Sequence, residues 1–561
     1  MGSSPLLLVI LLCIILAALR KITWSPSRPR NFPPGPPRLP FLGNLHQVLR
    51  VPKAYTRLAE LSRSYGTHGV MGLKLGPTTN VLVINERKAV EALLEKRGAI
   101  YSSRPPFLGS EYVHPSAEVH LAMMSYGKKW HRMRKTLTIE FVTRAQIQKR
   151  TPLVEAESTQ LMMELLREPG NFHNHVLRYH GAIIMASVFG IRGKSMDEDS
   201  LMGRFFSIHH LWSEMLEPGS IPPYDIFPFL KYVPNVLLGP WRNWKGYVRY
   251  VGRIQRELYS DLLNEVKSRI TEGRGPDCLI AKLLCSEEKE AYSVTDLQYI
   301  GGVLLEGGSD TTANAFKTFL HAMAAFPQVL KRAQAEVDQV FGDKQMPTGT
   351  DAARLPYLMA CILEVLRWRP GVAAGIPHAT TKDDTYEGYV SGILPLMHIN
   401  AMMSRLTRIL SQFIPAGTTV LMNIWGINHD PEVYTNPEAF EPERFMRYPA
   451  GGDISDVKHD KNTETPKEYS RRLSTFGAGR RVCIGQYMAL DNMLLAAAKV
   501  IWGVNIQADG PLDMSLGGGF GNGISSSPKP CKINFNPRDE QRKELMEKSW
   551  EEHDNYLKQF E

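Results

Sequence analysis

The sequence predicts a mainly α protein with a smaller β portion, a single large domain behind an N-terminal membrane anchor. Three observations predict it. From about residue 50 to residue 370 apolar residues recur three and four apart with short interruptions, which is the helical period. Two stretches depart from that period: residues 70–84 partly alternate and carry Pro77, and residues 389–422 are rich in strand and turn formers. The third observation is a continuous apolar run at residues 5–19. Nothing repeats at a fixed spacing. With 561 residues, of which 43% are apolar and 22% charged, the chain can bury a bulky cofactor in an ordinary globular core.

The apolar run is shorter than the roughly 20 residues that a membrane span requires. Residues 2–4 and 22–24 lengthen it, and Trp24 suits the interface. A cleaved secretory signal is the rival reading, but such a signal carries positive charge before its apolar stretch. Here Arg20, Lys21, Arg28 and Arg30 all follow it, which by the positive-inside rule keeps the downstream chain in the cytosol. Pro33-Pro34-Gly35-Pro36-Pro37 then forms a stiff extended spacer, because proline fixes φ and removes a backbone donor. The expected division is an anchor at 1–22, a basic proline-rich hinge at 23–45, a catalytic domain at 46–537 and a charged tail at 538–561 that can form an exposed helix.

A formal charge of +9 suits an anionic membrane surface or an acidic protein partner. No zinc-finger spacing or basic helical arm points to nucleic acid. The six cysteines, at 13, 278, 285, 361, 483 and 531, form no Cys-x-x-Cys pair and make no disulfide framework, so a reducing compartment is expected.

Cys483 stands apart because of its neighbours, Phe476-Gly477-Ala478-Gly479-Arg480-Arg481-Val482-Cys483-Ile484-Gly485. Glycines permit tight turns and close approach of a flat ligand. Arginines stabilise a thiolate and pair with carboxylates. The helical pattern that starts after Gly485 puts the sulfur just ahead of a helix N-terminus, which favours an anion. A second signal, Gly307-Gly308-Ser309-Asp310-Thr311-Thr312, lies inside a long helical stretch from about residue 295 to 326 that Pro327 ends. Two glycines in a helix cost roughly 1 kcal/mol each, and the acid and hydroxyls beside them can relay protons. Glu364 and Arg367 share a helix face, as do Trp130 and Arg134.

The Cys483 run resembles the haem-binding loop of the cytochrome P-450 superfamily, Phe-Gly-x-Gly-x-Arg-x-Cys-x-Gly, at every fixed position. The resemblance extends from the anchor to roughly residue 537, with the landmarks in the family's order, and it is to the fungal microsomal type. It implies the cytochrome P-450 fold and a monooxygenase that puts one oxygen atom from O2 into an apolar small molecule in secondary metabolism. Cys483 is then the axial ligand of the iron of haem b. Phe476 belongs to its loop, Arg481, Trp130 and Arg134 hold haem propionates, and His378 clamps the propionates from the far side. Asp310 and Thr311 deliver protons for oxygen activation. Glu364, Arg367 and Arg444 form a structural triad. The implied partners are an NADPH-cytochrome P-450 reductase, with cytochrome b5 as a further donor, at the endoplasmic reticulum membrane, single-pass with the catalytic domain in the cytosol. Residues 107–122, 302–305 and 372–376 are expected to line the substrate space. Two alternatives stay open: the same fold catalysing dehydration, rearrangement or oxidative coupling, and a non-catalytic haem carrier or sensor. The intact proton-delivery motif argues against the latter.

One stretch departs from the family's pattern. A short hairpin reading Thr-Tyr-Glu-Gly-Tyr then Phe-Ile-Pro-Ala-Gly is split between Tyr389 and Phe413 by residues 390–412. Val390-Ser391 is encodable by a splice donor, Gln412 by an acceptor, and Leu406-Thr407 by a branch sequence. The segment reads as a translated retained intron. The alternative is a genuine surface insertion whose apolar residues, Ile393, Leu394 and Leu396 among them, touch a membrane.

Overall fold

The computed structural model describes residues 28–49, 51–107, 110–116, 118–286, 292–349, 354–388, 411–446, 473–523 and 525–561. The expected anchor, the first residues of the hinge and nearly all of 390–412 lie outside them. Among the described residues no helix is long and apolar enough to cross a membrane.

The longer helices are α1 (Ala54–Tyr65), α2 (Lys128–Val142), α3 (Thr151–Arg167), α4 (Phe172–Phe189), α5 (Leu201–Leu216), α6 (Trp244–Thr271), α7 (Val294–Ala325), α8 (Pro327–Phe341), α9 (Pro356–Trp368), α10 (Gln486–Gly503) and α11 (Glu540–Leu557). Pro327 ends the pattern of α7 as expected and starts α8 at its first position, where a missing N–H costs nothing. α7 begins with a reciprocal cap: Ser293 Oγ accepts from the Asp296 N–H and Asp296 Oδ2 accepts from the Ser293 N–H, both at 3.1 Å. Helices α3, α4, α7, α9 and α10 share one continuous apolar core that includes Phe189, Phe316, Phe319, Ile362 and Trp502.

The β portion begins with β1 (Val70–Leu75) and β2 (Thr79–Ile84), followed by β3 (His378–Ala379), β4 (Asp384–Gly388), β5 (Ser411–Ile414), β6 (Thr419–Met422), β7 (Val504–Ala508) and β8 (Ile533–Pro537). The main sheet runs β1-β2-β6-β3, with β2 and β6 parallel and the other pairs antiparallel. The alternation read at 70–84 is real: Val70, Leu82 and Ile84 pack into one cluster, while Met71, Leu73, Val81 and Val83 pack with Leu58 and Leu61 of α1 on the other face. β4 and β5 pair with Asp384 opposite Ile414 and Thr385 opposite Phe413, and Gln412 takes the place opposite Tyr386.

Two sets of buried contacts lock the fold. Glu364 and Arg367, both fully buried, make two 2.7 Å bonds, and Arg367 also donates to the carbonyls of Asn428, Pro437 and Ala439. Arg444 reaches Glu364 at 3.4 Å, which completes the expected triad. The charged tail is a helix, but it is docked where the sequence suggested exposure. Met546 and Leu557 are fully buried, and Arg192 binds Asp554 and Glu561 at 2.6 Å each. Leu545, Trp550 and Tyr556, the residues that stood out in the sequence, only flank that contact.

Candidate active site

The cysteine loop is shaped by two glycines in the left-handed region, Gly477 at φ 76° and Gly479 at φ 62°. A Cβ on Gly479 would lie 2.0 Å from the Leu94 carbonyl oxygen, so the loop packs against that backbone only with glycine there. The Cys483 N–H donates to the Phe476 carbonyl at 2.8 Å and closes the loop. Backbone N–H groups of Gly485 and Gln486 point at the sulfur, as the start of α10 requires. Cys483 lies deep in the protein, and burial pushes its thiol above the ordinary range against those donors and Arg134. Its side chain nevertheless keeps free surface, which marks it as lining an internal face.

The charge acting on the sulfur comes from a distant helix and not from the two arginines that precede it in the loop. Arg134 is the charge beside it and donates to the Val482 carbonyl. Arg481 turns the other way, donating to the carbonyls of Ser102 (2.8 Å), Leu121 (3.2 Å) and Met124 (2.7 Å) and lying 4.4 Å from the Trp130 ring centre. Arg480 is exposed over Tyr126. Sequence adjacency says nothing of direction in a loop with two left-handed residues.

Arg481, Trp130 and His378 converge, joined by a residue that sequence reading missed, Arg104. It is buried and donates to the carbonyls of Ala122 (2.8 Å), Ile376 (3.0 Å) and Pro377 (2.7 Å). His378 donates Nδ1–H to the Tyr101 carbonyl at 2.9 Å. Burial and the neighbouring Arg481 lower Arg104 to about 9, and burial and Arg134 lower Arg481 to about 10. Burial, Arg104 and Arg481 lower His378 to about 3, which makes it a neutral imidazole. Among the described residues none of Arg104, Arg134 and Arg481 forms an ion pair with a carboxylate. Arg104 is buried and Arg134 and Arg481 are half-buried, with only the Glu118 charge acting on Arg481 from beyond ion-pair distance, and such a cluster of desolvated cations is costly unless an anion joins it. The donor set therefore fits a flat ligand with an anionic edge at the arginines and a soft metal ligand at Cys483.

Asp310 and Thr311 lie on α7. Thr311 Oγ donates to the Gly307 carbonyl at 2.7 Å. The two glycines before them differ in role. Gly308 packs on Ile184, whereas Gly307 faces open space and is exposed in the middle of an otherwise buried helix. Asp310 Oδ2 accepts from Asn314 Nδ2 at 3.0 Å; that nitrogen also donates to Ser525 Oγ at 2.8 Å, and Lys317 donates to Asn314 Oδ1 at 3.2 Å. Burial lowers Lys317 to about 8. Of the segments expected to line the substrate space, Val303 and Leu304 are half-buried on α7, and Gly371, just before the 372–376 stretch, lies against Thr311.

The family model for Cytochrome P450 matches residues 33–391 and 392–535. A cytochrome P450 monooxygenase of Arthrobotrys oligospora is 34% identical over 538 residues, covering 93% of this chain and 92% of the relative. Cytochrome P450 monooxygenase yanC of Aspergillus niger is 33% identical, with 94% and 93% covered. Cytochrome P450 monooxygenase patI of Penicillium expansum is 32% identical, with 100% and 99% covered. The loop, the uncompensated cations and these full-length likenesses agree: the chain is a haem-thiolate monooxygenase and belongs to the cytochrome P450 family.

Proposed function

We propose that this monooxygenase holds haem b through Cys483 and oxidises an apolar small molecule of fungal secondary metabolism. The observation that carries the reading is the pairing of a loop-bound thiol with desolvated arginines that, among the described residues, form no ion pair with a carboxylate. Arg104, Arg481 and Arg134 would hold the two propionates with the His378 ring alongside them, and Trp130 packs under Arg481. Phe476 closes the cysteine loop through its carbonyl. When bound, the haem supplies dioxygen binding and the redox chemistry of oxygen insertion. Thr311 Oγ and the Asp310 carboxylate would hold and pass protons from α7. The Asn314 amide orients Asp310, and the Lys317 ammonium is a buried positive charge on the same helix face.

Electrons come from an NADPH-cytochrome P-450 reductase, with cytochrome b5 as a further donor. The +9 charge supports docking of an acidic partner. The catalytic domain sits on the cytosolic face of the endoplasmic reticulum, tethered by residues 1–22. The stretch around 228–241 supports membrane contact, since Phe229, Tyr232, Val236 and Leu237 are exposed. Phe41 stacks on Phe227 at 5.1 Å, which brings exposed Leu39 and Leu42 of the hinge toward the same region.

Residues 390–412 read as a translated retained intron. The β4–β5 register supports this: joining Tyr389 to Phe413 keeps both outer pairs and leaves Glu387-Gly388 as a two-residue turn. The family match divides between residues 391 and 392.

The test is reconstitution with a reductase, following NADPH and O2 consumption and the mass of product formed under labelled dioxygen. One labelled oxygen atom in the product is the expected result. Consumption without label in any product would favour dehydration, rearrangement or coupling.

A further inference from the structure

A buried lysine stands behind the Asp310-Thr311 pair. Asp310, Asn314, Lys317 and His321 recur at helical spacing along α7. Lys317 Nζ donates to Asn314 Oδ1 at 3.2 Å, and Asn314 Nδ2 donates to Asp310 Oδ2 at 3.0 Å and to Ser525 Oγ at 2.8 Å. Lys317 and Asn314 are buried and Asp310 is half-buried. A neutral donor would satisfy the amide oxygen equally well. An ammonium brings a charge whose burial is costly without a counter-charge. Among the described residues Lys317 makes no ion pair, and the charge that acts on it is the Asp310 carboxylate beyond the amide.

The other titratable side chains that its charge reaches are His173 and His180 on α4 and His321 on α7. Burial, with the Lys317 charge adding to it, lowers His173 and His180 to about 3 and His321 to about 4, so these rings are neutral at pH 7. Cys531, just before β8, lies 3.4 Å from His321 Nε2, and burial pushes its thiol up to about 11. Burial lowers Lys317 to about 8, so it alone of this group changes charge between neutral and mildly basic pH.

The donor inventory fixes the direction of the amide. An ammonium has donors and no acceptor, so Asn314 turns its oxygen to Lys317 and its N–H edge to Asp310. A neutral amine also accepts. It can take a bond from Nδ2, and the amide then presents its oxygen to Asp310, acceptor against acceptor. We propose that Lys317 positions Asp310 for proton delivery: its ammonium, acting through Asn314, holds the amide N–H edge on the carboxylate, and loss of its proton releases that hold and leaves dioxygen to be reduced to peroxide. The proposal rests on the monooxygenase reading and adds the regulation of the same site by pH. Lys317 and Asn314 are positioning residues in it.

The experiment uses full-length haem-loaded protein with an NADPH-cytochrome P-450 reductase and no added substrate. Each dioxygen released as hydrogen peroxide consumes one NADPH and one proton. Each dioxygen reduced to two waters consumes two NADPH and two protons, and only this outcome breaks the O–O bond. The peroxide share of the NADPH consumed therefore reports proton delivery separately from the rate of electron supply. In wild type that share should rise about threefold or more from pH 7 to pH 9.5, with its midpoint near 8. Lys317→Met should hold the high share at every pH. Lys317→Arg should hold the low share up to pH 9.5, because a guanidinium keeps its charge. Adding Lys317→Met to Asn314→Leu should change nothing further, since both break one link. A second readout needs no turnover. The folded-state value of Lys317 lies below its ordinary 10.5, so the unfolded chain binds more protons between the two and stability rises with pH there. The urea midpoint of wild type relative to Lys317→Met should therefore rise from pH 8 to pH 10. Should the Met variant fold poorly, the pH profile of Lys317→Arg decides alone. A lysine that only packs would leave the midpoint near 8 absent from wild type, or present in both variants. Either outcome overturns the proposal, as does a urea difference that stays constant with pH. Loss of the thiolate-type carbonyl spectrum in wild type would instead remove the monooxygenase reading.

Discussion

Arg104 and Arg481 face the same uncompensated charge problem, and their substitution separates cofactor holding from folding. Arg104→Leu deletes a buried cation whose carbonyl partners lie on loop backbone. It should lower haem content after gel filtration several-fold while far-UV circular dichroism is retained. Unchanged haem content would show that the arginine only ties loops together. Asp310→Asn should reduce turnover by about 10²-fold or more, as expected for loss of a general acid–base group, with a larger solvent isotope effect. The loop around Cys483 and the Asp310-Thr311 pair on one long helix were legible in the sequence, because both are written in contiguous residues. Arg104 was not. Its role arises from contacts between residues far apart in the chain, 272 positions for Arg104 with Ile376, and a lone arginine in sequence is usually a surface residue.

Elements carry the next set of constraints. The pair on α9 is fully desolvated, so Glu364→Ala leaves a buried guanidinium without its partner and should cost about 3–5 kcal/mol. Arg367→Lys should fail to restore stability, since an ammonium cannot reproduce the two-bond fork. Chemical denaturation of the two variants measures both. For the β4–β5 hairpin, the retained-intron reading predicts that deletion of 390–412 preserves or raises the yield of haem-loaded protein. A mature transcript that contains those codons in most copies would defeat it. The long helix α7 and strands β1 and β2 were legible because their apolar periods are sustained. Docking of α11 was not, because its core residues, Met546 and Leu557, are three turns apart within a charged sequence.

Across the whole molecule, several imidazoles are buried in neutral form. Burial lowers His180 and His378 to about 3 and His321 to about 4, with nearby cations adding to it. Their folded-state values lie below the ordinary 6.5, so the unfolded chain binds more protons in the window between. The stability that they contribute is present above about pH 6.5 and is lost as pH falls towards 3, at about 1.4 kcal/mol per pH unit for each fully buried ring. Thermal unfolding midpoints should therefore fall steadily from pH 7 to pH 5, and a midpoint flat across that range would contradict the burial of these rings. Among the described residues all five cysteines are free thiols. The proposed function rests on one bond, between the Cys483 sulfur and the haem iron. Its most direct measurement is the absorption spectrum of the reduced protein under carbon monoxide, for wild type and Cys483→Ser. Wild type should show the red-shifted Soret band of a sulfur-ligated carbonyl complex, and the serine variant should lack it. A wild type that binds haem without that band, or a serine variant that keeps it, would contradict the account.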